Sequence, residues 1–194
     1  MVQRLVSFWV YGGALAAVLL LALAPALLAG RPLAQVAVFL HLPAYMLHQY
    51  EEHDHDRFRR FVNMHIGRGH EVLTPLAVFI INVPVVWGLL TLAFHAAATQ
   101  HLGWALAATY LMLVNALVHI VHAVVLRRYN PGLATAVLVF VPLGGTTLWL
   151  IQHAGAGSLA HHAAGLAIAV ALHAAILAHA MRRLAALQGD KAAR

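Results

Sequence analysis

Long apolar stretches alternate with short polar segments along the chain, at a spacing that fits helices crossing a lipid bilayer. A transmembrane helix needs about 20 mostly apolar residues, and six stretches reach or approach that length. The predicted helices cover residues 5–29, 33–57, 75–98, 104–126, 131–152 and 161–181. The chain shows no linker and no internal repeat. The pattern therefore predicts a single all-α domain, a six-helix transmembrane bundle that spans residues 1–194.

Local signals mark several ends of these helices. Gly30 stands where a helix commonly stops. Thr74 followed by Pro75 is typical of a helix N-terminus, since threonine caps the first amides and proline fits the first turn. Asn130 followed by Pro131 predicts the same kind of cap for the fifth helix.

The composition supports a protein that lies in lipid. Hydrophobic residues make up 62% of the chain and charged residues only 9%, whereas a water-soluble domain carries about 25% charged residues. The chain contains no cysteine, which excludes disulfides, thiolate metal sites and iron–sulfur clusters. Histidine, aspartate, glutamate, serine and tyrosine remain as candidates for chemistry.

The formal charge of +6 does not indicate a nucleic-acid partner, because the basic residues lie at the ends of apolar stretches. When the helices ending near residues 57, 127 and 182 finish on one side, eleven of the twelve basic residues share that side. They are Arg4, Arg57, Arg59, Arg60, Arg68, Arg127, Arg128, Arg182, Arg183, Lys191 and Arg194. Only Arg31 lies opposite. The positive-inside rule then predicts that both termini are cytoplasmic, in an inner membrane of bacterial type.

Several histidines lie inside the apolar stretches at a common depth. With a rise of ~1.5 Å per residue, His48, His119 and His173 lie ~12–13 Å from the basic ends of their helices. Ionisable groups at such depths cost roughly 2.5–3.5 kcal/mol on insertion scales, so they usually face the bundle interior and mark a site. The sequence predicts that the three imidazoles converge on one buried point in the cytoplasmic half of the membrane.

Neighbouring residues on these helices add further donors. At ~100° per residue, Glu52 lies ~40° from His48 and Glu51 lies ~60° to the other side, so the three share one face. His119 and His122 are three residues apart and also share a face. One pair of helices therefore offers both imidazoles and carboxylates to the interior.

Together these residues predict a metal centre. The candidate ligands are His48, Glu51, Glu52, His119, His122 and His173. This set exceeds what a catalytic zinc ion needs, and bundle cores build two-ion sites from such inward pairs, so two ions of iron or zinc are predicted. Asn82 and Asn115 are expected to orient ligands, and Glu51 and Glu52 are also candidate catalytic residues. The alternative is a hydrogen bond to a neighbouring helix for each histidine, or a proton relay.

The other histidines are interpreted differently. His53, His55, His65 and His70 fall near or within the predicted cytoplasmic loop, where contact with solvent or head groups is expected. His41 lies on the same stripe as His48, two turns deeper, where it is a candidate to line a channel or a substrate tunnel.

The pentapeptide His48-Gln49-Tyr50-Glu51-Glu52, at the end of an apolar helix, resembles the motif that gives the HXXEE family its name. The region from Asn115 through His119 to Arg127-Arg128-Tyr129-Asn130-Pro131-Gly132 is similar to the family's second recurrent segment. The resemblance covers most of the chain. It implies a compact helical membrane protein in which His48, Glu51 and Glu52 are important, and it implies no particular reaction.

These observations predict a metal-dependent membrane enzyme that acts on a lipid or another amphiphile. With two iron ions the centre would be an oxidoreductase that activates oxygen and needs an external electron donor. A zinc-dependent hydrolase with Glu51 or Glu52 as general base is the alternative enzyme. A transporter or channel that passes protons or metal ions along His41, His48 and the glutamates is the alternative outside enzymes.

Overall fold

Helices account for most of the chain in the computed structural model, which describes residues 2–192. They are α1 Val2–Leu27, α2 Leu33–His53, α3 Arg57–His65, α4 Pro75–Thr99, α5 Ala105–Leu126, α6 Leu133–His153 and α7 Leu159–Ala192. The described residues form no strand, which confirms the all-α fold. Arg194 and the side chain of Lys191, which the charge count includes, lie outside the described residues.

Five of these helices are long and apolar enough to cross a membrane: α1, α4, α5 with the turn before it, α6, and α7 as far as Gly189. The predicted count of six is thus reached only if α2 also crosses. This helix is not among the five apolar spans, and it carries the polar residues His41, His48, Gln49, Glu51 and Glu52. It is nevertheless deeply buried, since His41 and His48 are 0% exposed and Gln49 is 1% exposed.

The predicted end of the second helix, at residue 57, is wrong. Helix α2 ends at His53 because His55 and Asp56 adopt left-handed backbone angles, with φ of 52° and 61°. The side chain of Arg59 donates to both carboxylate oxygens of Asp56, at 2.9 and 2.8 Å, and holds this turn. A separate amphipathic helix, α3, follows within the segment that was expected to be a loop.

Other helix ends follow local chemistry. Thr74 accepts a hydrogen bond from the Ala77 amide at 3.2 Å, with Pro75 in the first turn, as predicted. Gly30 follows α1 with a φ of 75°, also as predicted. The last helix does not end at residue 181 but continues to Ala192, because the segment beyond is rich in arginine, alanine and leucine, which favour helix.

Arginines of α3, of the end of α5 and of α7 meet at one end of the bundle. Arg128 lies 3.1 Å from the Nε2 atom of His65, and Arg183 donates to the backbone oxygen of Glu71 at 2.8 Å. Arg59 also donates to the Glu71 carboxylate. These contacts place the three groups of arginines together, and this end is called the arginine-rich end below. The side of the membrane on which it lies stays a prediction.

Helix α5 forms the centre of the bundle, and its buried side chains include Leu106, Leu111 and Met112. Two π-helical turns adjoin this core, at residues Ile81–Trp87 of α4 and Ala136–Phe140 of α6. Such turns often occur near functional sites, because they change the direction of side chains within a helix.

Candidate metal centre

Three of the predicted ligands come together near the arginine-rich end. His48 and Glu52, one turn apart on α2, and His119 on α5 offer ligand atoms that all lie within 4.8 Å of one another. The His119 Nε2 atom is 3.1 Å from Glu52 Oε1, and the His48 Nε2 atom is 3.5 Å from Glu52 Oε2. The three residues are at most 5% exposed. They form the triad discussed below, and the convergence of α2 and α5 follows the predicted depth.

Asn130 sets the orientation of His119. Its amide nitrogen donates to the backbone oxygen of His119 at 2.9 Å, which leaves its oxygen to accept from His119 Nδ1 at 2.6 Å. The Nδ1 atom therefore carries a hydrogen, and the Nε2 atom faces Glu52, where it either carries a second proton or offers its lone pair to a cation. This use of the Asn130 side chain explains why the predicted helix cap is wrong: α6 begins at Leu133, after Gly132.

Thr135 sets the orientation of His48 in the same way. The Thr135 hydroxyl donates to Glu51 Oε2 at 2.5 Å, so it accepts from His48 Nδ1 at 2.7 Å. The Nε2 atom of His48 also faces Glu52, at 3.5 Å, and has no hydrogen-bond partner among the residues that the structure describes. Histidines that bind metals are commonly fixed by such a bond from the other ring nitrogen.

The triad therefore places two imidazole Nε2 atoms against a buried carboxylate. Three electron-pair donors at these distances repel one another unless a cation lies between them, and a buried carboxylate without compensation is costly. The cation is either a proton on one imidazole or a metal ion. Nitrogen and oxygen donors of this kind suit iron or zinc.

Aromatic rings and one glycine enclose the triad. The Phe140 ring lies 4.3 Å from the His48 ring, and the Phe58 ring lies 6.0 Å from the His119 ring, measured between centroids. Gly132 approaches from the α5–α6 loop with a φ of 98°, and a Cβ atom there would lie within 3 Å of all three triad side chains. The site thus depends on glycine at position 132, because a Cβ atom there would collide with the triad side chains.

Glu51 does not join the triad, contrary to its predicted place among the ligands. Its carboxylate accepts hydrogen bonds from the amides of Gly132, Ala134 and Thr135 at 3.2, 3.1 and 2.8 Å. A carboxylate at a helix N-terminus is favoured by the unpaired amides and the helix dipole. Successive residues on a helix point about 100° apart, so Glu51 and Glu52 serve different neighbours.

Tyr129 completes the surroundings of Glu51. Its hydroxyl donates to Glu51 Oε1 at 2.5 Å. Burial, together with this hydrogen bond to a carboxylate, raises the pKa of Tyr129 to about 12, so the phenol keeps its proton and remains a donor. Glu51 therefore links the α5–α6 loop to α2 and supports His48 through Thr135.

His122 and His173 line a cavity beside the triad but do not reach it. Among the described residues, the triad is the one group of three donors at metal-binding distances. His173 donates from Nδ1 to the Ala169 oxygen at 2.8 Å, and Asn115 lines the same cavity. The site geometry thus fits one ion, and the expected second ion finds no group of ligands there.

A buried polar network connects α2 to α4. The Trp87 indole donates to Gln49 at 2.6 Å, and Gln49 donates to Asn82 at 2.8 Å. Asn82 lies 3.3 Å from His53 Nε2, which is 3.5 Å from Glu52 Oε2. Asn82 is thus connected to Glu52 of the triad through His53. His53, expected at the loop, is instead 7% exposed and next to the site.

The comparisons with known proteins concern the same part of the chain. Residues 39–147, more than half of the chain, match the family described as "protein of unknown function with HXXEE motif". This range includes the triad, Asn130 and Thr135. No match was found among curated proteins or solved structures. The chain therefore belongs to the HXXEE family.

Proposed function

We propose that the protein is a membrane enzyme that binds one metal ion at His48, Glu52 and His119 and oxidises a lipid-like substrate. The observation that carries the proposal is the pair of imidazole Nε2 atoms that face the buried Glu52 carboxylate, with Glu52 and His119 in the wall of a mostly apolar cavity. Two histidines and one carboxylate with open positions are the ligand set of non-haem iron(II) oxygenases.

Iron would supply the activation of molecular oxygen. Hydroxylation of a C–H bond consumes one oxygen molecule, two electrons and two protons, and it yields the alcohol and water. The electrons must come from a donor outside this chain, such as a reduced flavin or iron–sulfur protein. The chain's own residues fix the ligands: Asn130 orients His119, Thr135 orients His48, and the aromatic side chains of Phe58 and Phe140 keep the surroundings apolar.

The metal content of the purified protein tests this proposal. Protein purified without chelators and reconstituted anaerobically with iron(II) should hold about one iron ion per chain, measured by inductively coupled plasma mass spectrometry. Loss of the iron on treatment with a chelator and its return on addition of iron(II) would support a specific site. Protein that takes up no transition metal under these conditions would contradict the proposal.

A zinc-dependent hydrolase is the second candidate, and His122 and His173 favour it. Both line the cavity without belonging to the triad, and they are placed to exchange protons with a substrate or with water. Zinc at a site with three protein ligands acidifies bound water. One zinc ion per chain, with no retention of iron, would select hydrolysis over oxidation.

The proposed membrane arrangement has α2 as the sixth crossing helix, the arginine-rich end and both termini in the cytoplasm, and the triad in the cytoplasmic half. The basic residues of the arginine-rich end support it through the positive-inside rule. Because the chain has no cysteine, single variants can be labelled in intact cells. A maleimide that does not cross membranes should label Ser158→Cys, between α6 and α7, and should not label Arg68→Cys. The reverse pattern would overturn the orientation.

A further inference from the structure

The cavity beside the triad has the size and lining of a site for a hydrocarbon chain. Its volume is about 150 Å³, and Glu52 and His119 lie in its wall together with apolar residues such as Val62, Leu111 and Ile176. An apolar cavity of about this volume holds a six-carbon ring molecule. It therefore suits a segment of about six carbons of an aliphatic chain.

Two of the membrane-spanning helices, α5 and α7, form one side of this cavity. Val118 and His122 line it from α5, and Ile176 and Leu177 line it from α7. Leu177 is 52% exposed, whereas Val78 on the α4 side of the cavity is 6% exposed. The α7 side of the cavity is thus more exposed at Leu177 than the α4 side is at Val78.

The packing of α5 against α7 changes along the two helices. Near the start of α7, a Cβ atom on Gly165 would lie only 2.7 Å from the Leu106 backbone oxygen, and Ala169 is fully buried. Small residues allow helices to approach closely. From Leu172 onward, the face of α7 toward α5 carries larger side chains and borders the cavity instead.

We propose that the acyl chain of a bilayer lipid enters the site sideways, between α5 and α7. Both helices are long and apolar enough to span the membrane, so this route, called the mouth below, faces lipid chains and not bulk water. The entering chain reaches the wall that Glu52 and His119 share. What happens to the chain there rests on the function proposed above, but its entry does not.

Photo-crosslinking in nanodiscs tests this entry. The discs contain phosphatidylcholine with a small fraction of phosphatidylcholine that carries a diazirine in one acyl chain. Ordinary lipid contacts label outward residues such as Leu117 and Val124, which are 58% and 70% exposed. Entry of the chain predicts additional labelling at Val62 and Ala180, which are 5% and 3% exposed and line the cavity. Labelling confined to outward residues would overturn the proposal.

Two matched tryptophan variants locate the route. Leu177→Trp enlarges a side chain at the mouth, and Leu166→Trp enlarges a comparably exposed one elsewhere on α7, since these leucines are 52% and 44% exposed. Labelling at Val62 should fall at least fivefold in L177W and stay unchanged in L166W. An equal effect of both variants would overturn the route between α5 and α7. Metal content measured on the same samples tests the proposed function separately, because labelling of the interior does not require the ion.

Discussion

Replacing Glu52 with glutamine is expected to abolish retention of the metal ion while the bundle stays folded. The substitution removes the negative charge of the triad and turns an amide donor toward the Nε2 atoms of His48 and His119, which lie 3.5 and 3.1 Å from the carboxylate. Loss of a hydrogen bond that supports a metal ligand lowers the affinity for the ion by about 10–100-fold. Loss of the ligand itself should therefore lower the affinity by more than about 100-fold. The dissociation constant for iron(II), measured by competition with a coloured chelator, gives the result.

Glu51→Gln is the matched control, one position away on the same helix. Its amide oxygen can take the place of Oε2 and still accept from the amide and hydroxyl of Thr135, while the bonds from the Gly132 and Ala134 amides to Oε1 are lost. Its effect on the ion passes through Thr135 and His48. We expect the affinity for iron(II) to fall less than about tenfold. Wild-type affinity in Glu52→Gln would show that Glu52 is not a ligand. The cation between Glu52 and His119 would then be a proton, and the site would be a buried ion pair.

The convergence of α2 and α5 could be predicted from the sequence because helix geometry governs it. His48 and Glu52 are four residues apart and must share a face. The depth of His119 follows from its distance to the basic residues that end α5. Both quantities depend on regular rise and rotation, and the structure departs little from them within these helices.

The contribution of the α5–α6 loop could not be predicted in this way. Asn130 before Pro131 fits a helix cap, but in the structure its side chain is used by His119, which lies eleven residues earlier. Arg127 and Gly132 both adopt left-handed backbone angles, with φ of 49° and 98°, and these return the chain to the triad. Such angles depend on tertiary contacts, and among these residues only the glycine gives a local signal for them.

The separate roles of Glu51 and Glu52 also needed the structure. On a helical wheel both glutamates fall within reach of the interior, and the wheel contains no information about the neighbouring helix. The N-terminus of α6, with its free amides, lies on the Glu51 side. That side therefore offers hydrogen-bond donors to Glu51, while the Glu52 side faces two imidazoles.

Replacing Gly132 with alanine is expected to lower stability and to abolish metal binding together. The new Cβ atom would lie 2.7 Å from His119 Cε1, 2.8 Å from Glu52 Cγ and 2.9 Å from His48 Cε1. These contacts involve buried side chains that cannot turn away without breaking the bonds to Asn130 and Thr135. Crowding of a packed core costs about 1–3 kcal/mol, and a left-handed backbone adds about 1–2 kcal/mol for a residue with a Cβ atom.

Gly145→Ala provides the control on the same chain, because a Cβ atom there meets nothing within 4 Å in the exposed, helical part of α6. Alanine in a helix is favoured over glycine by about 1 kcal/mol, so this variant should unfold at the wild-type temperature or above it. Gly132→Ala should unfold at a lower temperature in detergent and hold less than a tenth of the wild-type iron. If Gly132→Ala instead keeps both its unfolding temperature and its iron, the loop does not press on the triad, and the close packing that orients the two imidazoles toward Glu52 is absent.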